Sequence, residues 1–129
     1  MIGIKDAKLE DHSNEVIKAF KLQMERGLKG IGETAVGYAM ENAPVVTGRL
    51  KNSITYATEG YGGKGTYSDD QGNSYSDASA NGTPEKNTVY IGSNVEYAPV
   101  QENIHHFLKN AAANHGDEYK NIMETSLKS

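Results

Sequence analysis

Few stretches of this chain pair residue types with the spacing that chemistry requires. Gly60-Tyr61-Gly62-Gly63-Lys64-Gly65 spells G-x-G-x-x-G and follows a strand-like run. A dinucleotide site also needs a helix opening at the last glycine, whose N-terminus holds the pyrophosphate, and Thr66-Tyr67-Ser68-Asp69-Asp70 offers none. Lys64 precedes Gly65 instead of following it, so a phosphate loop fails as well. His12, His105, His106 and His115 include no H-E-x-x-H pairing that would set two imidazoles and a carboxylate on one helical face. His115 is expected as a hydrogen-bonded core histidine and His106 as a helix-start residue. Asp69 and Asp70, with Asp77 nearby, lack the ligand spacing of an EF-hand loop. No serine sits in an elbow motif, and there is no cysteine nucleophile. Arg49 and Glu102 stand apart as charged residues inside otherwise ordered segments. They are either exposed or part of an ion pair, which for Arg49 needs a carboxylate such as Glu96 or Glu102 near the guanidinium. The residues therefore predict no catalysis, no cofactor and no metal site.

The elements that would position these groups turn on one corner. Pro44 pushes Ala43 out of the helical region and lacks a donor, so a helix arriving from the N-terminal side should stop near Asn42. Gly48 then allows the chain to swing back, and from Leu50 the spacing moves toward strand alternation. Ahead of the corner, Ile2 and Ile4 flank Gly3 as a short edge strand, and Ser13 is a plausible N-cap with Glu15 in the first turn. Ile17, Phe20, Met24, Leu28, Ile31 and Ala35 recur at helical steps, opposite Lys18, Glu25, Lys29 and Glu33. Each glycine in this helix costs about 1 kcal/mol against alanine, so its apolar stripe must be docked on something. Gly27, Gly30, Thr34 and Gly37 line up beside that stripe. They predict either close approach of the helix to its own sheet or a groove for a neighbouring subunit.

Beyond the corner, Ile54 to Thr58 and Thr88 to Ile91 read as strands, with Val95 to Gln101 extended or turn-like. Gly60 to Asn87 carries almost no aliphatic residue and is expected as a long flexible loop, within which Tyr61, Tyr67 and Tyr75 could pair as a ragged hairpin with its tip near Asp70 to Asn73. From His106 to Leu127 the spacing predicts one helix running through Gly116, or a break at Asn114 to Gly116 with Asp117 capping a second helix. The sketch is a single α+β domain over residues 1–129: a small antiparallel sheet packed against a long N-terminal helix and a C-terminal helix.

Composition narrows the function classes. A net charge of −4 argues against a general phosphate-binding surface, so no nucleic-acid partner is expected. No run approaches the roughly 20 apolar residues that span a bilayer, and no basic segment leads an apolar one at the N-terminus. The absence of cysteine suits a reducing compartment. The expectation is a soluble protein without a membrane partner.

Three separated segments, taken together, carry a resemblance. Ala43-Pro44-Val45-Val46-Thr47-Gly48-Arg49-Leu50-Lys51-Asn52-Ser53-Ile54 fits A-P-V-x-T-G-x-L-x-x-S-I. Val89-Tyr90-Ile91-Gly92-Ser93-Asn94-Val95-Glu96-Tyr97-Ala98-Pro99-Val100-Gln101-Glu102 fits V-x-I-G-x-N-x-x-Y-A-x-x-x-E. His106-Phe107-Leu108-Lys109-Asn110-Ala111 brings F-L to the opening of the last helix. In this order they resemble the tail-completion, or head-to-tail joining, proteins of long-tailed bacteriophages. Two positions depart from the pattern: Asn103-Ile104 replaces a frequent Gly-Thr turn, and Asn110 replaces a common proline, which favours an uninterrupted final helix. The resemblance implies a small α+β fold without catalysis, assembled as a ring, commonly sixfold, where the tail tube faces the neck. It implies a virion protein that occupies the host cytoplasm during assembly, with tail-tube and neck proteins and further copies of itself as partners. The interface candidates are then Gly27, Gly30 and Gly37 on the helix flank, Arg49 and Glu102 at the corner, and Tyr61, Lys64, Tyr67, Asp69, Asp70 and Tyr75 in the loop. Two other classes compete: a small metal-dependent hydrolase or nuclease using His105, His106 and loop carboxylates, and a cytoplasmic adaptor using the glycine flank.

Overall fold

One apolar stripe sets the longest element, α1 (Ala7–Asn42), whose 36 residues reach about 54 Å at 1.5 Å per residue. The structure, a computed structural model, describes residues 7–44, 48–80 and 84–128. The expected edge strand at Ile2 to Ile4 and the Val45-Val46-Thr47 part of the corner lie outside them. Because Ala7, Lys8, Leu9 and Glu10 favour helix, α1 begins before Ser13, which is an interior residue and not the N-cap. It ends at Asn42 as Pro44 requires. A short helix, α2 (Arg49–Ser53), follows Gly48, whose φ of 80° lies in the left-handed region. This turn of helix precedes the strand β1 (Thr55–Ala57), where alternation alone predicted a direct entry into the sheet.

The sheet is split in two. β1 pairs antiparallel with β4 (Tyr90–Gly92), Tyr56 lying opposite Ile91. Inside the stretch expected as a flexible loop, β2 (Gly65–Ser68) and β3 (Ser74–Ala78) form a hairpin, with Tyr67 opposite Tyr75 and a register shift between Gly65 and Tyr67. The tyrosine rings stack at 5.1 Å, and Asp69 closes the tip by accepting from the Gln71 and Asn73 amides at 2.9 Å each. Aromatic stacking and this Asp-centred turn supply the order that aliphatic burial does not.

Three helices complete the chain: α3 (Ala98–His105), α4 (Phe107–Ala113) and α5 (Gly116–Leu127). Of the Val95 to Gln101 segment expected as extended or turn-like, Glu96 and Tyr97 form a turn and Ala98 onward is helical, with Tyr97 as N-cap and Pro99 in the first turn, where its missing amide is harmless. Asn103-Ile104 continues α3, so the left-handed stop comes at His106, with φ 50°. Glu102 then reaches forward to accept from the Leu108 and Lys109 amides at 2.8 and 3.1 Å, satisfying the opening of α4. The final helix is interrupted after Ala113, which overturns the single-helix expectation and follows its alternative. His115 is the N-cap of α5, while Asp117 lies in the first turn instead of capping.

The interior gathers where α1, α2, α3 and α4 meet. Phe107 and Ile54 are fully buried there with Leu50, Val95, Ala39 and Ala111. A chain of buried hydrogen bonds crosses this core. The Val95 amide donates to Ser93 Oγ at 3.2 Å, Ser93 and Ser53 share a hydroxyl hydrogen bond, and Ser53 Oγ donates to the Leu50 carbonyl at 2.6 Å. Since the single Ser53 proton goes to Leu50, Ser93 is the donor between the two serines.

Small residues decide how near α1 lies to its neighbours. A Cβ at Gly32 would stand 2.4 to 3.0 Å from Tyr56, so the helix meets the sheet there. Gly27 and Gly30 instead face Met123 and Ile122 of α5. The C-terminal half of the α1 stripe is thus covered, but its Ile17 and Phe20 remain exposed, contrary to the expectation that the whole stripe is docked, as do Val16 and Leu22 outside the expected stripe. Among the described residues, no helix is long and apolar enough to cross a membrane.

The serine relay makes a testable claim. Ser53→Ala removes both the donor to Leu50 and the acceptor for Ser93, and should cost about 1–3 kcal/mol in chemical denaturation. Ser93→Ala should cost a similar amount. Because the two act as one unit, the double variant should fall short of the sum by about 0.5 kcal/mol or more.

Candidate functional site

The chemically densest place is the seam where the hairpin lies on the corner. Gly48 brings it about: a Cβ there would stand 2.3 to 2.7 Å from the Asp70 carboxylate, so only a glycine admits the hairpin tip. Asn52 Nδ2 donates to the Ser68 carbonyl at 2.7 Å and ties β2 to α2. Beside them opens a cleft of 460 Å³ whose walls include Pro44, Arg49, Asn73, Tyr75, Tyr97 and Gln101.

Arg49 is the hub of this seam. Its two terminal nitrogens bond the two Glu96 carboxylate oxygens at 3.0 and 3.1 Å, the bidentate arrangement that suits a planar guanidinium. The guanidinium carbon lies 4.5 Å from the centroid of the Tyr75 ring and 5.8 Å from that of Tyr97. The Tyr67 hydroxyl and then the Glu96 carboxylate raise its pKa above the ordinary arginine value, against the opposing effect of burial. One cation thus collects a tyrosine from each hairpin strand and an acid and a tyrosine from the segment before α3. Glu96 itself is open to solvent, so the pair orients the seam more than it stabilises it.

Asp69 holds the tip. Besides the two tip amides, it accepts from Asn73 Nδ2 at 3.0 Å and the Tyr75 hydroxyl at 3.1 Å. These donors, led by the Asn73 side chain, hold its carboxyl below the usual carboxylate range. Glu96 is also held low, first by its own backbone amide and then by Arg49. With four donors around it, Asp69 is committed to the turn. The side chain of Asp77 lies outside the described residues.

Of the positions singled out in the sequence, the fold brings together Arg49, Tyr67, Asp69, Asp70 and Tyr75. The others scatter. Gly27 and Gly30 receive α5 of the same chain, and Gly37 is exposed with open space around it. Tyr61 stacks on Tyr56 with centroids 4.6 Å apart, and the Lys64 amide donates to Thr55 Oγ1 at 3.1 Å. Glu102 serves the start of α4, leaving Glu96 as the arginine's partner. His115 stacks on Tyr38 at 3.5 Å, whose hydroxyl donates to Glu118, while His105 and His106 are exposed. Among the described residues, no three His, Asp or Glu side chains are placed to share a metal ion. Sequence reasoning missed Tyr97, Asn73 and the serine pair. Tyr97 directly follows the acid that pairs with Arg49, and it and Ser53 are fixed letters of the resembling motifs, which was the available signal.

The lowered carboxyls predict the acid behaviour of the seam. Their stabilising share is complete above the ordinary carboxylate range, about pH 4, and is lost as pH falls through the lowered folded values. The thermal midpoint should therefore drop with acidification below about pH 4. Asp69→Asn should lower the midpoint at neutral pH and flatten that dependence; an unchanged acid slope contradicts the assignment.

The family model described as Bacteriophage HK97-gp10, putative tail-component, matches residues 7–103, which takes in α1, both strand pairs, the Arg49 seam and nearly all of α3. No curated protein and no solved structure shows significant similarity to the chain. The match spans three quarters of the sequence and contains the corner, the hairpin and the Glu96 turn that build the seam, so this chain belongs to the HK97-gp10-like family of phage tail components.

Proposed function

We propose that this tail component completes the tail and joins it to the head, as a non-catalytic ring of copies at the tail end that faces the neck. The observation that carries this reading is the convergence of the three resembling segments on a single joint. The first supplies Arg49 and Ser53, the second Ser93, Glu96 and Glu102, and the third Phe107 at the centre of the core together with the two amides that Glu102 receives. Segments far apart in the chain, which resemble joining proteins together and not singly, are thereby one structural unit. That unit presents a polar hairpin whose tip residues Gln71 and Gly72 are exposed.

A contact arm of this kind fits assembly on a preformed symmetric end better than free oligomerisation. Each copy brings a small, polar surface, and a ring multiplies it through effective concentration. The protein works in the virion, on the tail tube and neck proteins, after passing through the host cytoplasm. At micromolar concentration the purified chain should have the mass of a monomer by light scattering.

The test is a phage depleted of this chain and complemented with variants. Depletion should leave separate heads and tails in negative-stain micrographs. Gln71→Arg with Ser74→Arg, both on exposed positions of the hairpin, should lower the joined fraction at least tenfold without changing the thermal midpoint. Normal joining in the depleted phage would sink the proposal.

A further inference from the structure

The exposed turns of α1 around Val16 and Phe20 belong to the same stripe that is buried further along. Val16, Phe20 and Met24 precede Ile31, Ala35 and Ala39 at helical steps, so one continuous face changes from covered to bare. The change comes where α5 ends. Ser126 Oγ donates to the Gln23 carbonyl and Leu127 is the last residue of α5, so α5 does not reach the turns of α1 that carry Val16 and Phe20. On its bare side a groove of 540 Å³ opens between Ile17, Phe20 and Met24 and the turn that follows β1. Phe20 is 49% and Val16 65% exposed, which is unusual for large apolar side chains sharing one face.

The same chain carries a second exposed aliphatic patch. Val100 and Ile104, 57% and 63% exposed, stand one helical turn apart on the outer face of α3. Two anchors at i and i+4 are the pattern by which a helix seats in an apolar groove. The patches cannot meet within one molecule. Ala98, at the start of α3, is buried with Ala39 and Ala43 near the far end of α1, roughly 30 Å along that helix from Phe20 at 1.5 Å per residue.

We infer that the bare groove of α1 receives the Val100 and Ile104 face of α3 from a second copy of this chain, in a head-to-tail contact. The two surfaces differ, so the contact is heterologous, and an open series of copies leaves one groove and one ridge unused at its ends until it closes. Few side chains take part, so the surface covered falls well short of the about 800 Å² per partner of a stable standard interface. One contact is therefore weak, and closure of many is what holds. The inference deepens the ring in the proposed function and rests on that reading for its setting, but the contact can be tested in purified protein, apart from phage assembly.

The absence of natural cysteine makes the test clean. Phe20→Cys and Ile104→Cys are made as separate single variants, checked for an unchanged circular dichroism spectrum and midpoint, and oxidised at several hundred micromolar. Mixing the two should yield a crosslinked dimer at least tenfold above either variant alone. The double variant should give higher closed species. A Phe20→Cys homodimer that dominates would instead assign the groove to a pair of α1 helices and overturn the inference, as would the lack of any mixed crosslink. Phe20→Glu with Ile104→Glu controls for folding: it should leave the midpoint unchanged and abolish any concentration-dependent rise in mass. If the mixed crosslink forms while the depleted phage still joins heads to tails, the contact stands and the joining function fails.

Discussion

A hydroxyl-to-hydroxyl bond between Ser53 and Ser93, sealed from solvent, is the constraint around which this domain is arranged. A buried hydroxyl tolerates little misplacement, because a lost partner inside the protein is not replaced by water. The bond fastens the end of α2 to the turn after β4, and Phe107 closes over the same place from α4. Corner, strand pair and C-terminal helices are thereby held in one register. Arg49 lies four residues before Ser53, and Glu96 three after Ser93, so the bidentate pair forms on the outer side of a joint whose inner side is already fixed. The hairpin in turn docks on that pair and on the space left by Gly48.

Order in the hairpin has a different origin from order in the core. Its residues carry almost no aliphatic surface, yet it is pinned by local acceptors at Asp69, stacked tyrosines and a cation between rings. Such contacts are polar and mostly at the surface, where each is worth little alone. They define the direction of the arm without adding much to global stability. The fold itself is kept by Phe107, Ile54 and Leu50, so the hairpin proposed as the contact arm can hold its shape without carrying the core.

α1 shows the same division along its length. Where glycines let α5 and β1 approach, its apolar face is interior. Before Gln23, at Val16 and Phe20, the same face is exposed. A helix of this length would gain nothing as an isolated rod, since its exposed apolar side chains have no burial to offset the ordering of the backbone. The bare turns are therefore better understood as half of a contact than as an extension of the core.

By itself the sequence determined the elements whose signals are local. The apolar period marked α1, Pro44 marked its end, β-branched and aromatic runs marked β1 and β4, and three motifs in order marked the family. Alternation at Leu50 to Ile54 concealed α2, and a short run at Ala98 to His105 did not distinguish a helix from a turn, because one or two turns carry too few apolar residues to show a period. The break after Ala113 was legible as an alternative, since Asn114 and Gly116 are weak helix formers. Tertiary structure alone decided that Glu96 pairs with Arg49 while Glu102 caps α4, that Gly27 and Gly30 receive α5, and that Ser53 bonds Ser93. Each of those is a choice among chemically equivalent partners many residues apart, and distance in space, not residue type, is what separates them.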